Sequence, residues 1–511
     1  MLLKNNSYLQ GCGKDNNMVQ LRIKHSGALA KVLNGATSLT GKRLRSGDSY
    51  VMEENLLIMK RIVYAIFCMM FLTCSACGQK EVSSSGDNQQ DSIAVSDAAE
   101  ETANTAEGTA AESPDAAEGT EDAEKTTEGT VGLTDGDEGT FGEEAEPEQV
   151  SLKDLAADYF TVGVGINGST LENQTLNMPE YMALCKEQFN SCTMTNLMKS
   201  CYILDQKGSK ESLENGDGSP ALKFDNIDPT LQWCQENGMK MRGHTLVWHT
   251  QAPEWFFREG HDTKGEYVGK EVMLARMESY IAQLLTHVQE NYPGVVYCWD
   301  VVNEAVDPDN GDKDSGFMCR RDNNGTPNPW YETIGPDYVK MAFTYARKYA
   351  AEDVKLFYND FNTYMTPKRK AIYDLCESLK EEGLIDGIGM QGYWGISYPG
   401  LDVLDGTIRR FAKLDLELHI TELSIGVEEE TEVQFKKQGN AYKNVFNMLL
   451  KADTAGGGPA NITNVTFFGL KDHYRDGDKT NSRLFDKNYQ PKPAYDAVVS
   501  ILKSAAKRIQ E

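Results

Sequence analysis

Residues 151–511 contain eight short β-rich runs that alternate with longer amphipathic stretches. In the helical stretches apolar residues fall on one face, as they do in residues 273–290, and the β-rich runs have the length of strands. Eight strands, each followed by a helix or a loop of similar reach, predict the α/β class and a (β/α)8 TIM barrel. The predicted strands are residues 161–166, 191–195, 240–246, 295–302, 355–358, 387–391, 416–421 and 464–469.

Residues 59–77, MKRIVYAIFCMMFLTCSAC, have the organisation of an export signal peptide, with a basic start, a short apolar run and small residues before Cys77. The apolar run is too short for a comfortable transmembrane span. Its end resembles a bacterial lipobox, in which Cys77 receives the lipid, although Cys74 stands where Leu is usual. We therefore expect an extracellular, cell-surface lipoprotein attached to the membrane through lipidated Cys77, with an ordinary secreted protein as the alternative.

Two further regions flank this signal. Because a signal peptide belongs at the start of a chain, we expect Met59 to be the true initiator and residues 1–58 not to be translated in the native host. Residues 78–150 hold about twenty carboxylates and almost no large apolar residues, which predicts a disordered acidic linker. This linker supplies most of the net charge of −26, and no basic stripe is visible to meet phosphates, which argues against a nucleic-acid partner.

Polar side chains stand at or just after the ends of seven of the predicted strands, from the second to the eighth. In a (β/α)8 barrel the carboxyl ends of the strands carry the active site. Glu304 and Glu422 follow the fourth and seventh strands, so we expect them to face each other across the mouth. Two facing carboxylates are what cleavage of a glycosidic bond requires. The other polar residues at these ends are Asn196, Lys199, His244, Trp248, His249, Asn303, Asn359, Asp360, Asn362, Gln391, Tyr393 and Asp472.

Six ordered motifs resemble glycoside hydrolase family 10, whose members are mostly endo-β-1,4-xylanases. They are RGHTLVWH (242–249), WDVVNEA (299–305), LFYNDFN (356–362), GIGMQ (387–391), ITEL (420–423) and QPKPAY (490–495). The resemblance covers nearly all of residues 151–511 and implies a barrel that cleaves internal β-1,4-xylosidic bonds of xylan by a retaining double displacement. It implies a polysaccharide as substrate; no metal or organic cofactor is required, because two carboxylates can carry the whole reaction. We expect a monomer.

The resemblance also assigns roles to residues. Glu304 corresponds to the general acid/base and Glu422 to the nucleophile. The charge of Glu422 is expected to keep Glu304 protonated until attack. Asn303 corresponds to a residue that donates to the sugar 2-hydroxyl or the nucleophile, and Tyr393 stands where the family has a His that bonds the nucleophile. The residues that correspond to substrate-binding positions are Asn196, Lys199, His244, Trp248, Gln251 and Gln391. Asp300, deeper in the fourth strand, is expected to be structural.

The sequence departs from the family pattern at three places. Thr195 and Ser200 replace a Glu and a Trp after the second strand, which removes a carboxylate that would grip a sugar beyond the cleavage site. Tyr393 cannot become cationic as the usual His can. Phe468 replaces a Trp of the eighth strand, and a second Trp of the family pattern is absent near Tyr474 and Arg475, where bulk normally favours xylose over hexosides.

These departures leave three functions open. The first is an active retaining endo-xylanase. The second is a retaining β-glycosidase retargeted to another β-glycan or β-glucoside, and the third is a surface lipoprotein that binds glycan without cutting it. Retention of both Glu304 and Glu422 favours the first two, because a binder has no need of the pair.

Cysteines and an acidic loop give no sign of a metal site. The odd number of cysteines in the barrel region has no zinc-binding spacing and favours buried free thiols, with one or two disulfides left open. The loop at residues 307–316 looks like a calcium loop but lacks its twelfth-position Glu, so we interpret it as a solvated rim loop. The cysteines are Cys185, Cys192, Cys201, Cys234, Cys298, Cys319 and Cys376.

Overall fold

The structure is a computed structural model that describes residues 151–473 and 481–510. The predicted signal peptide at 59–77, the linker at 78–150, the untranslated segment at 1–58 and the neighbourhood of Tyr474 and Arg475 all lie outside the described residues. Those four expectations therefore stay predictions.

Eight parallel strands form a closed ring in chain order, in which β1 pairs with both β2 and β8 and β6 pairs with both β5 and β7. This ring confirms the predicted (β/α)8 TIM barrel. The strands are β1 (Thr161–Ile166), β2 (Ser191–Met194), β3 (Lys240–Trp248), β4 (Val296–Asn303), β5 (Lys355–Asp360), β6 (Gly387–Met390), β7 (Glu417–Ile425) and β8 (Asn461–Phe467).

Helices follow the strands and cover the outside of the ring. They are α1 (Leu152–Leu155), α2 (Pro179–Gln188), α3 (Ser200–Ile203), α4 (Gln206–Asn215), α5 (Asp228–Asn237), α6 (Lys270–Asn291), α7 (Pro329–Ile334), α8 (Tyr338–Tyr349), α9 (Thr366–Glu381), α10 (Leu401–Phe411), α11 (Glu432–Ala452) and α12 (Pro493–Gln510). Among the described residues no helix is long and apolar enough to cross a membrane.

Shorter elements occupy the connections. Six 3₁₀ turns are Thr175–Asn177, Glu254–Phe257, Glu259–His261, Lys313–Ser315, Ala412–Leu414 and Thr454–Gly456. Two small hairpins pair Leu204–Asp205 with Ala221–Leu222 and Asp322–Asn323 with Thr326–Pro327. The two-residue strand Tyr393–Trp394 pairs with the end of β7, so that Tyr393 lies beside Ser424.

Burial on both faces explains why the strands read as nearly continuous apolar runs. The helices pack one face against the outside of the ring, as α6 does with Met277, Ile281 and Leu284, all fully buried. Side chains fill the inside, and space there is tight: a Cβ at Gly243 would lie 2.4 Å from the ring of Trp299. Only glycine fits at that position of β3.

The barrel interior below the mouth holds a buried ionic cluster. Asp300 forms an ion pair with Arg242 and accepts a hydrogen bond at 2.9 Å involving His244 Nδ1. Arg242 Nη1 also lies 2.5 Å from His419 Nδ1. Asp300 is thus held by two basic side chains, as expected for a structural carboxylate.

The seven cysteines of the barrel region are free thiols, and all except Cys201 are buried. Cys192 and Cys234 have sulfurs 3.4 Å apart without a disulfide. Free thiols were the favoured expectation from the sequence.

Four strands end later than predicted. β3 and β5 continue for two further residues, to Trp248 and Asp360. β4 continues for one residue, to Asn303, and β7 for four, to Ile425. The added pairing partner of β7 is the strand Tyr393–Trp394, which follows Gln391 without a motif of its own. Glu422 consequently lies inside β7, at the register shift between Ile420 and Leu423.

Candidate active site

The two carboxylates lie at the carboxyl-end mouth of the barrel, Glu304 directly after β4 and Glu422 within β7. Glu422 is 5% exposed. Glu304 has a left-handed backbone with φ of 59°, which costs a non-glycine residue about 1 kcal/mol or more. The surroundings hold it there: its N–H donates to the Asn359 carbonyl at 2.8 Å, and Arg320 Nε donates to its carbonyl at 2.9 Å.

Two donors orient the Glu304 carboxylate. Trp248 Nε1 donates to Oε2 at 3.0 Å, and Gln391 Nε2 donates to Oε1 at 2.9 Å. Trp248 lies at the end of β3 and Gln391 directly after β6, so the two hydrogen bonds reach the carboxylate from strands on either side of β4. Its rotamer is therefore fixed before any ligand arrives.

Two donors likewise orient the Glu422 carboxylate. The Tyr393 hydroxyl donates to Oε2 at 2.6 Å, and Asn359 Nδ2 donates to Oε1 at 3.0 Å. Thr421 Oγ1 donates to Asn359 Oδ1 at 2.7 Å, which fixes the orientation of that amide. Tyr393 packs edge-on against Phe468, with ring centroids 6.0 Å apart.

Asn303 connects the two carboxylates. Its Oδ1 accepts from Asn359 Nδ2 at 2.9 Å and from Gln391 Nε2 at 3.3 Å. Asn359 also contacts Glu422, and Gln391 also contacts Glu304. The side-chain amides of Asn303, Asn359 and Gln391 thus form one hydrogen-bonded network between the two carboxylates. The bonds to Asn303 use only its amide oxygen.

The surroundings raise the pKa of the Glu422 carboxyl above its ordinary value. Burial is the main cause, and the neighbouring charge of Glu304 acts in the same direction. The charge of His244 and the hydrogen bonds from Tyr393 and Asn359 oppose this rise. The hydrogen bonds from Tyr393 and Asn359 therefore favour the ionised form of Glu422 against the effect of burial.

The pKa of Glu304 is lowered. Burial acts to raise it, but the charge of His249, the hydrogen bond from Gln391 and the charges of Lys368 and Arg320 outweigh burial. Burial also lowers the pKa of His249 to about 3, so that this imidazole is neutral near pH 7 and loses its effect on Glu304. The two shifts run against the expectation that Glu422 keeps Glu304 protonated, because burial prevails at Glu422, whereas nearby charges and the Gln391 hydrogen bond outweigh burial at Glu304.

Four of the predicted substrate-binding residues meet in one cluster at the ends of β2 and β3. Lys199 Nζ donates to Asn196 Oδ1 at 3.1 Å and to Gln251 Oε1 at 2.7 Å. The same ammonium lies 4.7 Å from the centroid of the Trp248 ring. Because Trp248 also donates to Glu304, this cluster borders the carboxylate directly.

The two other predicted substrate-binding residues lie elsewhere in the site. Gln391 bonds Glu304 and Asn303 and is part of the amide network. His244 bonds Asp300 through Nδ1 and acts on Glu422 through its charge.

The short side chains that replace family residues bond to the backbone. Thr195 Oγ1 donates to the Ile166 carbonyl at 3.4 Å, and Ser200 Oγ donates to the Gln251 carbonyl at 3.3 Å. Phe468 is 6% exposed and packs on Tyr393. These three side chains therefore contact the surrounding protein and make no hydrogen bond to Glu304 or Glu422.

A buried ion pair beside Glu304 was not predicted from the sequence. Lys368 Nζ lies 2.7 Å from Asp360 Oδ1, and both side chains are at most 3% exposed. The Tyr358 hydroxyl donates to Asp360 Oδ2 at 2.5 Å and accepts from the Val306 N–H at 3.1 Å. Asp360 lies within the LFYNDFN motif, whereas Lys368 in α9 has no sequence signal, since its inward direction depends on the rotation of that helix.

The acidic rim loop is held by arginines. Asp307 pairs with Arg320 at 3.3 Å, and Asp312 pairs with Arg321 at 2.9 Å. Asp472, after β8, pairs with Lys492 at 2.6 Å and accepts from the Arg483 N–H, so it serves as a structural anchor for the start of α12. Within residues 151–473 and 481–510, no three His, Cys, Asp or Glu side chains come together as a metal site would need.

Several known proteins are similar to this chain in sequence and fold. The profile of Glycosyl hydrolase family 10 matches residues 151–501. A Caldicellulosiruptor saccharolyticus protein is 47% identical over 309 residues, which are 58% of this chain and 95% of that protein. Endo-1,4-beta-xylanase A of Thermotoga neapolitana is 39% identical over 70% of this chain, but the match spans only 31% of that relative.

A solved structure agrees with these relatives. The CBM22-1–GH10 modules of the Clostridium thermocellum endo-1,4-beta-D-xylanase 10B, in complex with xylohexaose, match with 34% identity and a TM-score of 0.62. The match covers 69% of this chain and 67% of that one. The chain belongs to glycosyl hydrolase family 10.

Proposed function

We propose that this protein is a retaining endo-acting glycoside hydrolase that cleaves internal β-1,4-xylosidic bonds of xylan. The observation that carries the proposal is the single amide network that orients two carboxylates, Glu304 and Glu422, at the mouth of the barrel. Membership of the family and the xylanase names of several relatives support the substrate class.

In the first step Glu422 attacks the anomeric carbon while Glu304 gives its proton to the glycosidic oxygen. The bond between that oxygen and the sugar carbon breaks, the shortened chain leaves as an alcohol, and a glycosyl ester forms on Glu422. In the second step Glu304, now a carboxylate, takes a proton from water, which attacks the same carbon and releases Glu422. Two inversions leave the product with retained configuration.

The reaction requires one proton on Glu304 and a charge on Glu422. Without ligand the pKa shifts favour the other arrangement. A sugar over the mouth excludes water from Glu304, which raises its pKa, and its hydroxyls supply donors that stabilise the charge on Glu422. Substrate binding therefore moves the shared proton toward Glu304.

Asn303 and Tyr393 assist this division of labour. The Asn303 oxygen is occupied by Asn359 and Gln391, which leaves its amide nitrogen as a donor for the sugar 2-hydroxyl beside Glu422. The Tyr393 hydroxyl, at 2.6 Å, makes a short charge-assisted hydrogen bond to Glu422 Oε2. Together they position the nucleophile in place of the usual His.

Sugar residues on one side of the cut bind to the cluster at the ends of β2 and β3. Lys199, Asn196 and Gln251 hold one another and present polar groups to hydroxyls. Trp248 adds an aromatic ring beside Glu304, against which the C–H face of a sugar packs. His244 lies deeper in the barrel, where its Nδ1 is hydrogen-bonded to Asp300.

A second candidate function is the same chemistry on another β-glycan or a β-glucoside. The favouring observation is that Phe468 occupies the place of a Trp, while Thr195 and Ser200 bond to the backbone. Less bulk around carbon 5 of the sugar lowers discrimination against a hydroxymethyl group. A glycan-binding protein without activity is the third candidate, and the preserved donors on both carboxylates count against it.

We further propose that the protein is extracellular, held at the cell surface by a lipid on Cys77, with residues 78–150 as a tether and a monomeric barrel. Secretion after cleavage of residues 59–77 is the alternative. The supporting observations are the basic, apolar and small-residue segments of the sequence. Radiolabelled fatty acid incorporated into the wild-type chain and absent from Cys77→Ser would support lipidation; no label in either would reject it.

The experiment that tests the function compares hydrolysis of matched aryl β-xylobioside and β-cellobioside substrates by the intact chain, with Glu422→Ala as the blank. A clear preference for the xylobioside is expected. Comparable rates or a cellobioside preference would support the retargeted enzyme instead. Rates equal to the blank on both substrates would favour the glycan-binding lipoprotein.

A further inference from the structure

The neighbouring helices α9 and α10, on the outside of the barrel, enclose a surface cleft of about 350 Å³. Five positive side chains line it, and the lining includes no carboxylate. They are Arg369, Lys370, Arg409, Arg410 and Lys413. These residues lie outside the amide network, so the cleft is separate from the candidate active site.

Two of the five cations have a carboxylate on the same helix. Lys370 Nζ lies 2.5 Å from Asp374 Oδ2, and Arg409 Nε lies 2.7 Å from Asp405 Oδ2. Both are exposed pairs four residues apart, an arrangement that contributes little free energy and exchanges readily with other anions.

The other three cations have no carboxylate partner among the described residues. Arg369 Nη1 donates to the Thr407 hydroxyl at 3.1 Å, and the Arg410 guanidinium lies 3.7 Å from the centroid of the Tyr373 ring. Lys413 is exposed. Neutral contacts thus fix two guanidinium groups at the cleft without cancelling their charge.

This concentration of positive charge runs against the charge of the barrel region. Residues 151–511 contain 52 Asp and Glu against 39 Lys and Arg. Five cations gathered in one cleft repel one another, and a bound anion relieves that repulsion. The cleft is therefore suited to a negatively charged ligand.

The chemistry of the cleft points to carboxylates. Arginine forks match carboxylate geometry, and three of the five cations are arginines. Tyr373, beneath Arg410, is only 9% exposed, and the residues that line the cleft include no aromatic ring, so the cleft offers no platform for a sugar ring. A carboxylate-rich peptide fits these features better than a neutral glycan does.

The same chain contains such a peptide. Residues 78–150 carry 21 Asp and Glu and only two Lys, and they join the barrel region at Ser151. A flexible segment of this length has an r.m.s. end-to-end distance of about 45 to 50 Å, and charge repulsion extends it further. That reach is comparable with the width of a domain of this size, about 50 Å, so the effective local concentration of the segment is in the millimolar range.

We propose that the cleft between α9 and α10 binds the acidic segment, residues 78–150, of the same chain. Because exposed charges make the contact, it weakens as ionic strength rises. High salt should therefore release the bound segment.

Zero-length cross-linking of the intact chain with a carbodiimide tests this proposal. The reagent takes up the water that is lost when a lysine amine and a carboxylate form an amide, so only groups in contact are joined. The cross-links to residues 78–150 are counted by mass spectrometry at Lys370 and Lys413, and at the exposed lysines Lys437, Lys443 and Lys451 of α11 as controls. We expect at least fivefold more at the cleft in low salt and near-equal yields at about 0.5 M salt.

A matched pair of charge reversals completes the test. Arg409→Glu with Arg410→Glu should lower the cleft cross-links at least fivefold, while Lys437→Glu with Lys443→Glu changes the charge equally on α11 and should leave them unchanged. Both variants should unfold at the wild-type temperature. Equal yields at cleft and control lysines, no effect of the cleft reversal, or cross-links only between chains would overturn the proposal.

Discussion

The two halves of the candidate active site, around Glu304 and around Glu422, are built alike but shift charge in opposite directions. Each carboxylate accepts two hydrogen bonds, and Asn303 is linked to both. The Glu304 half also lies near Lys368 and Arg320, whereas the Glu422 half has burial and the charge of its neighbour. The difference teaches that the charges around each carboxylate, and not its donors alone, set the direction of its pKa shift.

The largest effect is expected from removing each carboxylate in turn. Glu422→Ala should lower kcat by about 10⁴-fold or more on every substrate, since no ester can form. Glu304→Ala should lower kcat on xylan by about 10² to 10⁴-fold, the usual contribution of a general acid. On aryl glycosides with an acidic leaving group the first step needs no proton, so a burst of phenol should precede slow turnover. An equal loss of kcat in both variants, without a phenol burst in Glu304→Ala, would contradict the separate roles of the two carboxylates.

The cation of the Glu304 half can be removed with Lys368→Met. Loss of one partner of a buried ion pair costs about 3 to 5 kcal/mol of the free energy of unfolding. The exposed pair of Lys340 and Glu382 provides the control, and Lys340→Met should cost at most about 1 kcal/mol. Denaturant unfolding measures both values. Because Lys368 lowers the pKa of Glu304, its loss should also move the basic limb of the kcat profile, which reports the complex with substrate, to higher pH. An unchanged limb would mean that Lys368 does not act on the charge of Glu304.

Tyr393→Phe removes one donor from the Glu422 half. A hydrogen bond to a charged group is worth about 1.5 to 3 kcal/mol, so kcat/KM should fall by about 10 to 150-fold. Tyr393 lowers the pKa of Glu422, which must be ionised to attack, so its loss should move the acidic limb of the kcat profile, which reports the complex with substrate, to higher pH. Tyr364→Phe is the control, because the Tyr364 hydroxyl donates to Asn362. A shift of the basic limb instead would mean that Tyr393 acts mainly on Glu304, and it would contradict this prediction.

Gln391→Met is the counterpart in the Glu304 half. Its hydrogen bond lowers the pKa of Glu304, so its loss should raise that pKa and move the basic limb of the kcat profile to higher pH. Trp248 still donates to the carboxylate, so we expect a loss in kcat/KM of only about tenfold, the low end for a charged hydrogen bond. Gln251→Met, in the sugar-binding cluster, should raise KM and leave both limbs in place.

The smallest effect concerns specificity beside the Glu422 half. Phe468→Trp restores bulk next to Tyr393 and should raise the xyloside-to-glucoside ratio of kcat/KM by about five- to tenfold, the low end for exclusion of one group. Matched aryl β-xylobioside and β-cellobioside measure the ratio. An unchanged or lower ratio would mean that Phe468 does not contact the sugar's carbon 5 region.

The barrel and its mouth were accessible from the sequence because both depend on local patterns. β1 begins and ends where its apolar alternation predicted, and the family motifs put Glu304 and Glu422 at strand ends. The extension of β7 was missed because Glu422 interrupts the apolar pattern inside the strand.

The partners of the carboxylates were harder to predict. The bridging position of Asn359 depends on the relative height of three strands, and the inward direction of Lys368 depends on the rotation of α9. Neither leaves a trace in residue spacing. The order of the two pKa shifts was predicted in reverse, because it depends on burial and on cations that only the folded chain brings near Glu304.

The most direct test of the proposed division of labour is to trap the covalent intermediate. An activated 2-deoxy-2-fluoro-β-xylobioside loses its phenol to the enzyme, and the fluorine slows hydrolysis of the resulting ester enough for peptide mapping by mass spectrometry. The account predicts a single fluoroxylobiosyl group on the peptide that contains Glu422, and none on the peptide that contains Glu304. A label on Glu304, or phenol release without any labelled peptide, would contradict the account.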